Sequence, residues 1–171
     1  MQPKCVPLRT SRWPTALADA VNLTVDPGET TGWALWDADW QLLEAGQTPL
    51  WEFIDDVWLA SGLHDDCRHP SGPFAGARRI VCEDWAIYPW EAKALSWDKC
   101  RTARGIGAIE LICRQAELEL ILQPAKIKET AVAAGAEELY LSPRHPNRHA
   151  NDAIQHGVYY RLKHGGRRTA G

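Results

Sequence analysis

Three carboxylates and one imidazole stand where they could share a chemical task. Asp26 follows the apolar run 20–25 and leads into Pro27-Gly28-Glu29-Thr30-Thr31-Gly32-Trp33-Ala34. Glu83 follows the apolar stretch Ile80-Val81-Cys82. Asp152 lies near the start of a last helical segment, with His149 three residues before it, a spacing that puts both on one helix face. Carboxylates gathered in one place raise one another's pKa and stay ionised together only beside cations. Oxygen donors select hard ions, so Mg²⁺ is the matching partner, with Mn²⁺ as its substitute. Two such ions roughly 3.5–4 Å apart can clamp the attacking and leaving oxygens of a phosphodiester. Each residue also has a plainer reading. Asp26 suits a turn, Glu83 a strand end, Asp152 the dipole-favoured first turn of a helix, and His149 an exposed first-turn position. Spacing alone leaves both readings open.

The elements that would position these residues can be read from the pattern. Residues 20–25, 31–37 and 40–48 read as three strands, with Asp37-Ala38-Asp39 as a hairpin loop. Pro27 fixes φ, and Gly28 is free to take positive φ, so the chain is expected to reverse tightly after Asp26. Apolar spacing near 3.6 predicts a helix over 50–63, followed by a loop over 64–76. A buried strand at 80–82 runs into Glu83-Asp84-Trp85. A long helix is expected over 91–117, where Leu95, Cys100, Ala103, Ile106, Ile109, Ile112 and Cys113 recur every three or four residues. A short strand at 118–122 precedes a helix opened by Pro124 and stopped by Gly135. Asn147 is expected to cap a last helix over 148–163. Three antiparallel strands followed by alternating helices and strands imply a mixed sheet with helices on its faces. Strands one and four would then lie side by side, bringing Asp26 next to Glu83.

The chain of 171 residues suits one compact domain, burying roughly 70% of its unfolded surface. Residues 1–19, with Pro3, Pro7 and Pro14, read as a loose arm, 20–163 as the domain, and 164–171 as a basic tail. The five cysteines form no CxxC pair and leave one over, which argues for reduced thiols in a cytosol and against a zinc site. There is no signal-peptide pattern and no apolar run near 18 residues, so no membrane association is expected. The net charge of −3 is not that of a typical nucleic-acid binder, but the charge is unevenly spread. Residues 26–84 carry twelve Asp/Glu against three Arg/Lys, and residues 86–171 carry nine against thirteen. An acidic part and a basic part can hold a metal at one place and phosphates nearby; ordinary surface scatter is the alternative. All nine tryptophans lie in the first hundred residues, as core packing, surface caps, or one or two platforms for bases or sugars. His64, His69, His145 and His156 read as loop or helix-surface residues rather than ligands.

Four blocks, in order, resemble the RuvC family of Holliday-junction resolvases within the RNase H-like superfamily, most closely its phage-type members. They are Asp26-Pro27-Gly28…Thr31-Gly32-Trp33-Ala34, Val81-Cys82-Glu83-Asp84-Trp85, Thr102-Ala103-Arg104-Gly105 and His149-Ala150-Asn151-Asp152-Ala153. Ile127-Lys128-Glu129-Thr130 is similar to the family's lysine-bearing helix. The resemblance spans residues 20–163. It implies an α/β, RNase H-like fold: a mixed five-stranded sheet with helices on both faces. It implies that Asp26, Glu83 and Asp152 bind metal, that His149 is a fourth ligand or positions a base, and that Lys128 contacts the scissile phosphate or stabilises the transition state. It further implies a homodimer formed through the central helix, about 91–117, acting on branched DNA. One departure from bacterial members is that only residues 136–147 separate the lysine-bearing segment from the last helix. Arg144 or Arg148 would have to replace a second basic residue found there.

The expected reaction is Mg²⁺-dependent hydrolysis of DNA at a four-way junction, leaving 5′-phosphate and 3′-hydroxyl. Arg101, Arg104, Lys126 and Lys128 would hold the backbone, with the junction chosen by shape and deformability. The same motifs also suit a nuclease for flaps, forks or RNA–DNA hybrids, or a junction-binding protein without cutting. The first turn also resembles the phosphate loop of actin-like ATPases, which need two such domains. Gly28…Gly32 lacks the lysine of a Walker loop, and no Gly-x-Ser-x-Gly is present.

Overall fold

The computed structural model describes residues 20–63, 70–85, 97–141 and 147–165, with the side chains of 97–99 left aside. The expected arm, most of the tail, the histidines 64, 69 and 145, and Arg144 lie outside those residues.

Strand β1 (Asn22–Asp26) pairs antiparallel with β2 (Thr30–Trp36), which pairs antiparallel with β3 (Leu42–Pro49). β4 (Arg79–Asp84) lies parallel to β1, and β5 (Glu119–Pro124) lies parallel to β4. The sheet has five strands in the order β3-β2-β1-β4-β5. The expected adjacency of strands one and four is thus observed, with Val25 opposite Cys82.

Period-two alternation divides the strand side chains between two cores. Leu23, Val25, Trp33, Leu35, Ile80 and Cys82 face one side. They pack there with Leu50, Phe53, Ile54 and Val57 of α1 (Leu50–Ala60) and with Ile106, Ile109, Ile112 and Cys113 of α2 (Trp97–Ala116). Burying one such aliphatic or aromatic side chain stabilises the fold by roughly 1.5–3 kcal/mol. On the other side Ala34, Trp36 and Val81 meet Ala131 of α3 (Lys128–Ala133) and Ala153, Ile154 and Val158 of α4 (Arg148–His164). Helices therefore cover both faces, as expected.

The hairpin loop at 37–39 also forms. The Asp37 carboxylate accepts from the backbone N–H of Asp39 at 2.9 Å and of Gln41 at 2.8 Å. Trp33, Trp36 and Trp40 are core residues, whereas Trp51 is 48% and Trp58 37% exposed.

Several local expectations are corrected. Among the described residues the glycines with positive φ are Gly62, Gly72 and Gly135, and Gly28 is not one of them. The reversal after Asp26 is made without left-handed backbone and is fastened by Thr31 Oγ1 donating to the Gly28 carbonyl at 3.1 Å. The segment after Pro124 is not one helix. A 3₁₀ turn over Ala125–Ile127 runs into α3, and Gly135 at φ 86° precedes a second 3₁₀ turn over Ala136–Leu139. Asn147 stands at the N-cap of α4 but gives no side-chain capping bond. Asp152 is not in the first turn of α4, which holds no acidic residue, so a dipole role does not account for it.

Among the described residues, no helix is long and apolar enough to cross a membrane.

Candidate active site

The ends of the parallel strands bring polar groups into a row. Glu83 of β4 is the register partner of Gln123 of β5, and Asp26 lies one step beyond the Val25–Cys82 pair. All three side chains rise on the face covered by α4. Two contacts fix that helix. Thr24 Oγ1 donates to the Ala153 carbonyl at 2.7 Å and accepts from Trp36 Nε1 at 2.9 Å. Gly32 supplies the second: a Cβ there would lie 1.8 Å from the His149 carbonyl oxygen, so only glycine lets α4 sit this close to β2.

Asp26, Glu83, His149, Asp152 and Lys128 converge here. Lys128, at the first position of α3, carries three N–H donors. Its Nζ lies 3.0 Å from Asp26 Oδ1, 2.8 Å from Glu83 Oε2 and 3.1 Å from Asp152 Oδ2. His149 Nδ1 lies 2.8 Å from Asp26 Oδ2.

These contacts set the proton affinities. Burial raises the Asp26 carboxyl above its ordinary range, and the bonds from His149 and Lys128 offset this only in part. Burial also acts on Glu83, but hydrogen bonds from His156 and Lys128 outweigh it and bring the carboxyl down to about 2. Burial disfavours the Lys128 charge, yet Asp26, Glu83 and Asp152 together hold its pKa above the usual lysine value. The bond to Asp26 raises the His149 pKa.

His156 was not anticipated. Instead of lying on a helix surface it is fully buried, with Nε2 3.0 Å from Glu83 Oε2 and Nδ1 2.9 Å from Gln123 Oε1. A signal for it exists in the sequence. Positions 149, 152 and 156 are spaced three and four apart, so they form one helical stripe.

The basic residues expected to hold a backbone are spread around this centre. Arg101 pairs with Glu29, in the turn after Asp26, at 3.3 Å. The Arg104 guanidinium lies 5.8 Å from the centre of the Trp51 ring. Glu29, Leu50, Trp51 and Arg101 help line a groove of about 260 Å³. Lys126 and Arg148 are exposed.

The donor set fits a divalent cation. Three carboxylates crowd around the single ammonium of Lys128, with the His149 and His156 imidazoles beside them, a mixed oxygen and nitrogen donor set. One ligand atom each from Asp26, Glu83 and His156 lies within 4.8 Å of the others. The turn at 28–32 is covered at Gly32 by the first turn of α4, and a Cβ on Gly28 would meet the Thr30 carbonyl oxygen at 3.1 Å.

The backbone is similar to that of Thermus thermophilus RuvC in complex with a Holliday junction substrate, with a TM-score of 0.53 and 14% identity. That match covers 85% of this chain and 96% of the other. The chain has a RuvC-type fold. A second Thermus thermophilus RuvC structure gives a TM-score of 0.49 and 15% identity, covering 84% of this chain and 96% of the other. No protein-family model matches the sequence. No curated protein matches it either. At 14% identity the likeness is one of fold, a mixed α/β sheet of RNase H-like type.

Proposed function

We propose that the chain is a divalent-metal-dependent, structure-selective DNA endonuclease that cuts four-way junctions. The observation that carries this is the convergence of Asp26, Glu83 and Asp152, with His149 and Lys128, at the ends of the parallel strands. The fold supports it, since the similar RuvC structure holds a Holliday junction substrate.

Asp26, Glu83, Asp152 and His149 would hold Mg²⁺ or Mn²⁺. Such an ion neutralises charge on a phosphate and acidifies water. The residues themselves do the rest. Asp26, Glu83 and Asp152 fix the ion against the rigid strand ends and α4. Lys128 stands beside all three and, released from them by a cation, can turn its charge to the scissile phosphate. Arg101, Arg104, Lys126 and Arg148 bind backbone phosphates without reading bases. Exposed Trp51, beside Arg101 and Arg104, offers a stacking surface for a base or sugar. The products would carry 5′-phosphate and 3′-hydroxyl.

Paired nicks across a junction require two sites, so the active form is a homodimer through α2. On the outer face of that helix Leu111 is 55% exposed, and Gly107 has open space around it.

The test compares matched four-way junctions, flaps, forks and RNA–DNA hybrids with Mg²⁺ present. Symmetric paired nicks confined to the junction support the proposal. Faster cutting of a flap, fork or hybrid replaces it with a different nuclease.

A further inference from the structure

Behind the carboxylates lies a buried polar pair. His156 is 0% exposed and Gln123 5%. Burying an imidazole and a carboxamide costs stability unless both are hydrogen-bonded, and packing alone would be served as well by leucine. The two are bonded to each other, and His156 is bonded onward to Glu83.

The sheet register explains the arrangement. Glu83 and Gln123 are direct partners on parallel strands, so their side chains rise together on the face that α4 crosses. His156 drops from α4 between them. Each of its ring nitrogens is taken, Nε2 by Glu83 at 3.0 Å and Nδ1 by Gln123 at 2.9 Å. The ring cannot turn toward a cation without giving up both bonds.

We propose that His156, oriented by Gln123, is a positioning residue that holds Glu83 in the rotamer from which it ligates the metal, and is not itself a ligand. This rests on the metal-nuclease reading above. Outer-shell partners of this kind typically change metal affinity by about 10–100-fold. The close approach of the Asp26, Glu83 and His156 ligand atoms makes direct ligation by His156 the rival to be separated.

The experiment is Mn²⁺ binding to the full chain by titration calorimetry, without DNA, for wild type, His156→Leu, His156→Gln and Gln123→Leu. Far-UV circular dichroism and junction affinity in EDTA report folding. The expected result is Mn²⁺ binding about 10–100-fold weaker in His156→Leu. Gln123→Leu is weakened by a smaller factor. His156→Gln, whose amide can still donate to Glu83, stays close to wild type. Unchanged affinity in His156→Leu overturns the proposal. So does a His156→Gln variant as weak as His156→Leu, because that makes the imidazole a direct ligand. If His156→Leu does not fold, Gln123→Leu decides, and wild-type affinity there overturns the proposal. A wild-type chain that binds no Mn²⁺ removes the metal reading and this proposal together, whereas normal wild-type binding with unaffected variants removes this proposal alone.

Discussion

Gly32 and His149 touch backbone to backbone: a single added Cβ on Gly32 would stand 1.8 Å from the His149 carbonyl oxygen. This contact seats the first turn of α4 on β2 and leaves His149 Nδ1 2.8 Å from Asp26 Oδ2. Gly32→Ala therefore has to push the helix away. Overpacking of this kind costs about 1–3 kcal/mol, and the strand and helix backbones have little room to yield. Urea unfolding should show that loss, with the His149 ring signal shifted in NMR. An alanine variant with wild-type stability would mean that the two elements are less tightly apposed.

Thr24 ties α4 to the sheet from below. Its hydroxyl donates to the Ala153 carbonyl and accepts from Trp36 Nε1, all of it buried. Thr24→Val keeps the shape but leaves the buried Trp36 indole N–H without its acceptor, while the Ala153 carbonyl keeps its bond within the helix. The cost is that of one buried group left unsatisfied, about 1–3 kcal/mol. Thermal unfolding measures the loss, and a neutral substitution would count against the hydrogen-bonded geometry.

Lys128 sets one positive charge against three carboxylates at once. Lys128→Met removes that charge and leaves the acids facing one another. Metal-free stability at neutral pH should fall by about 1–3 kcal/mol, less than for a fully buried pair because the lysine is partly exposed. Mg²⁺ should then stabilise the variant more than the wild type. Equal Mg²⁺ stabilisation in both would show that Lys128 and the cation do not share these carboxylates.

The pH dependence follows from the same contacts. The Glu83 carboxyl titrates at about 2 in the fold against 4.5 ordinarily. Its charged form therefore stabilises the protein above about pH 4.5, and that contribution is lost as pH falls toward 2. Glu83→Gln should flatten the acid limb of the stability curve in that window. Asp26 works the other way. Its raised value gives a contribution present below pH 3.8 and lost as pH rises through the folded value.

His149 behaves as a base with an acidic partner. Its raised pKa means stability present below pH 6.5 and lost as pH rises through the folded value. The NMR midpoint of its ring should lie above 6.5 in the wild type and return toward 6.5 in Asp26→Asn. A midpoint that ignores Asp26→Asn would separate the two residues.

Much of this arrangement was legible from local pattern. Asp26 and Glu83 each follow an apolar run, and the strand order alone sets their strands side by side. His149 and Asp152 share a face by spacing. The remainder depends on contacts that no local pattern encodes. Lys128 meets Asp26 across 102 residues, and only the resemblance of its segment pointed to it. His156 looks like a surface histidine until the register of β4 with β5 and the seating of α4 bury it. Gly28 drew attention as the turn glycine, yet Gly32 matters more, because its need is for space under a helix distant in sequence.

The most direct test is cleavage of a synthetic four-way junction with Mg²⁺ by the wild-type chain and by Asp26→Asn. The wild type should give paired symmetric nicks that EDTA abolishes, and Asp26→Asn should bind the junction without cutting it. Cleavage by Asp26→Asn at the wild-type rate would contradict the assignment of this centre as the catalytic site.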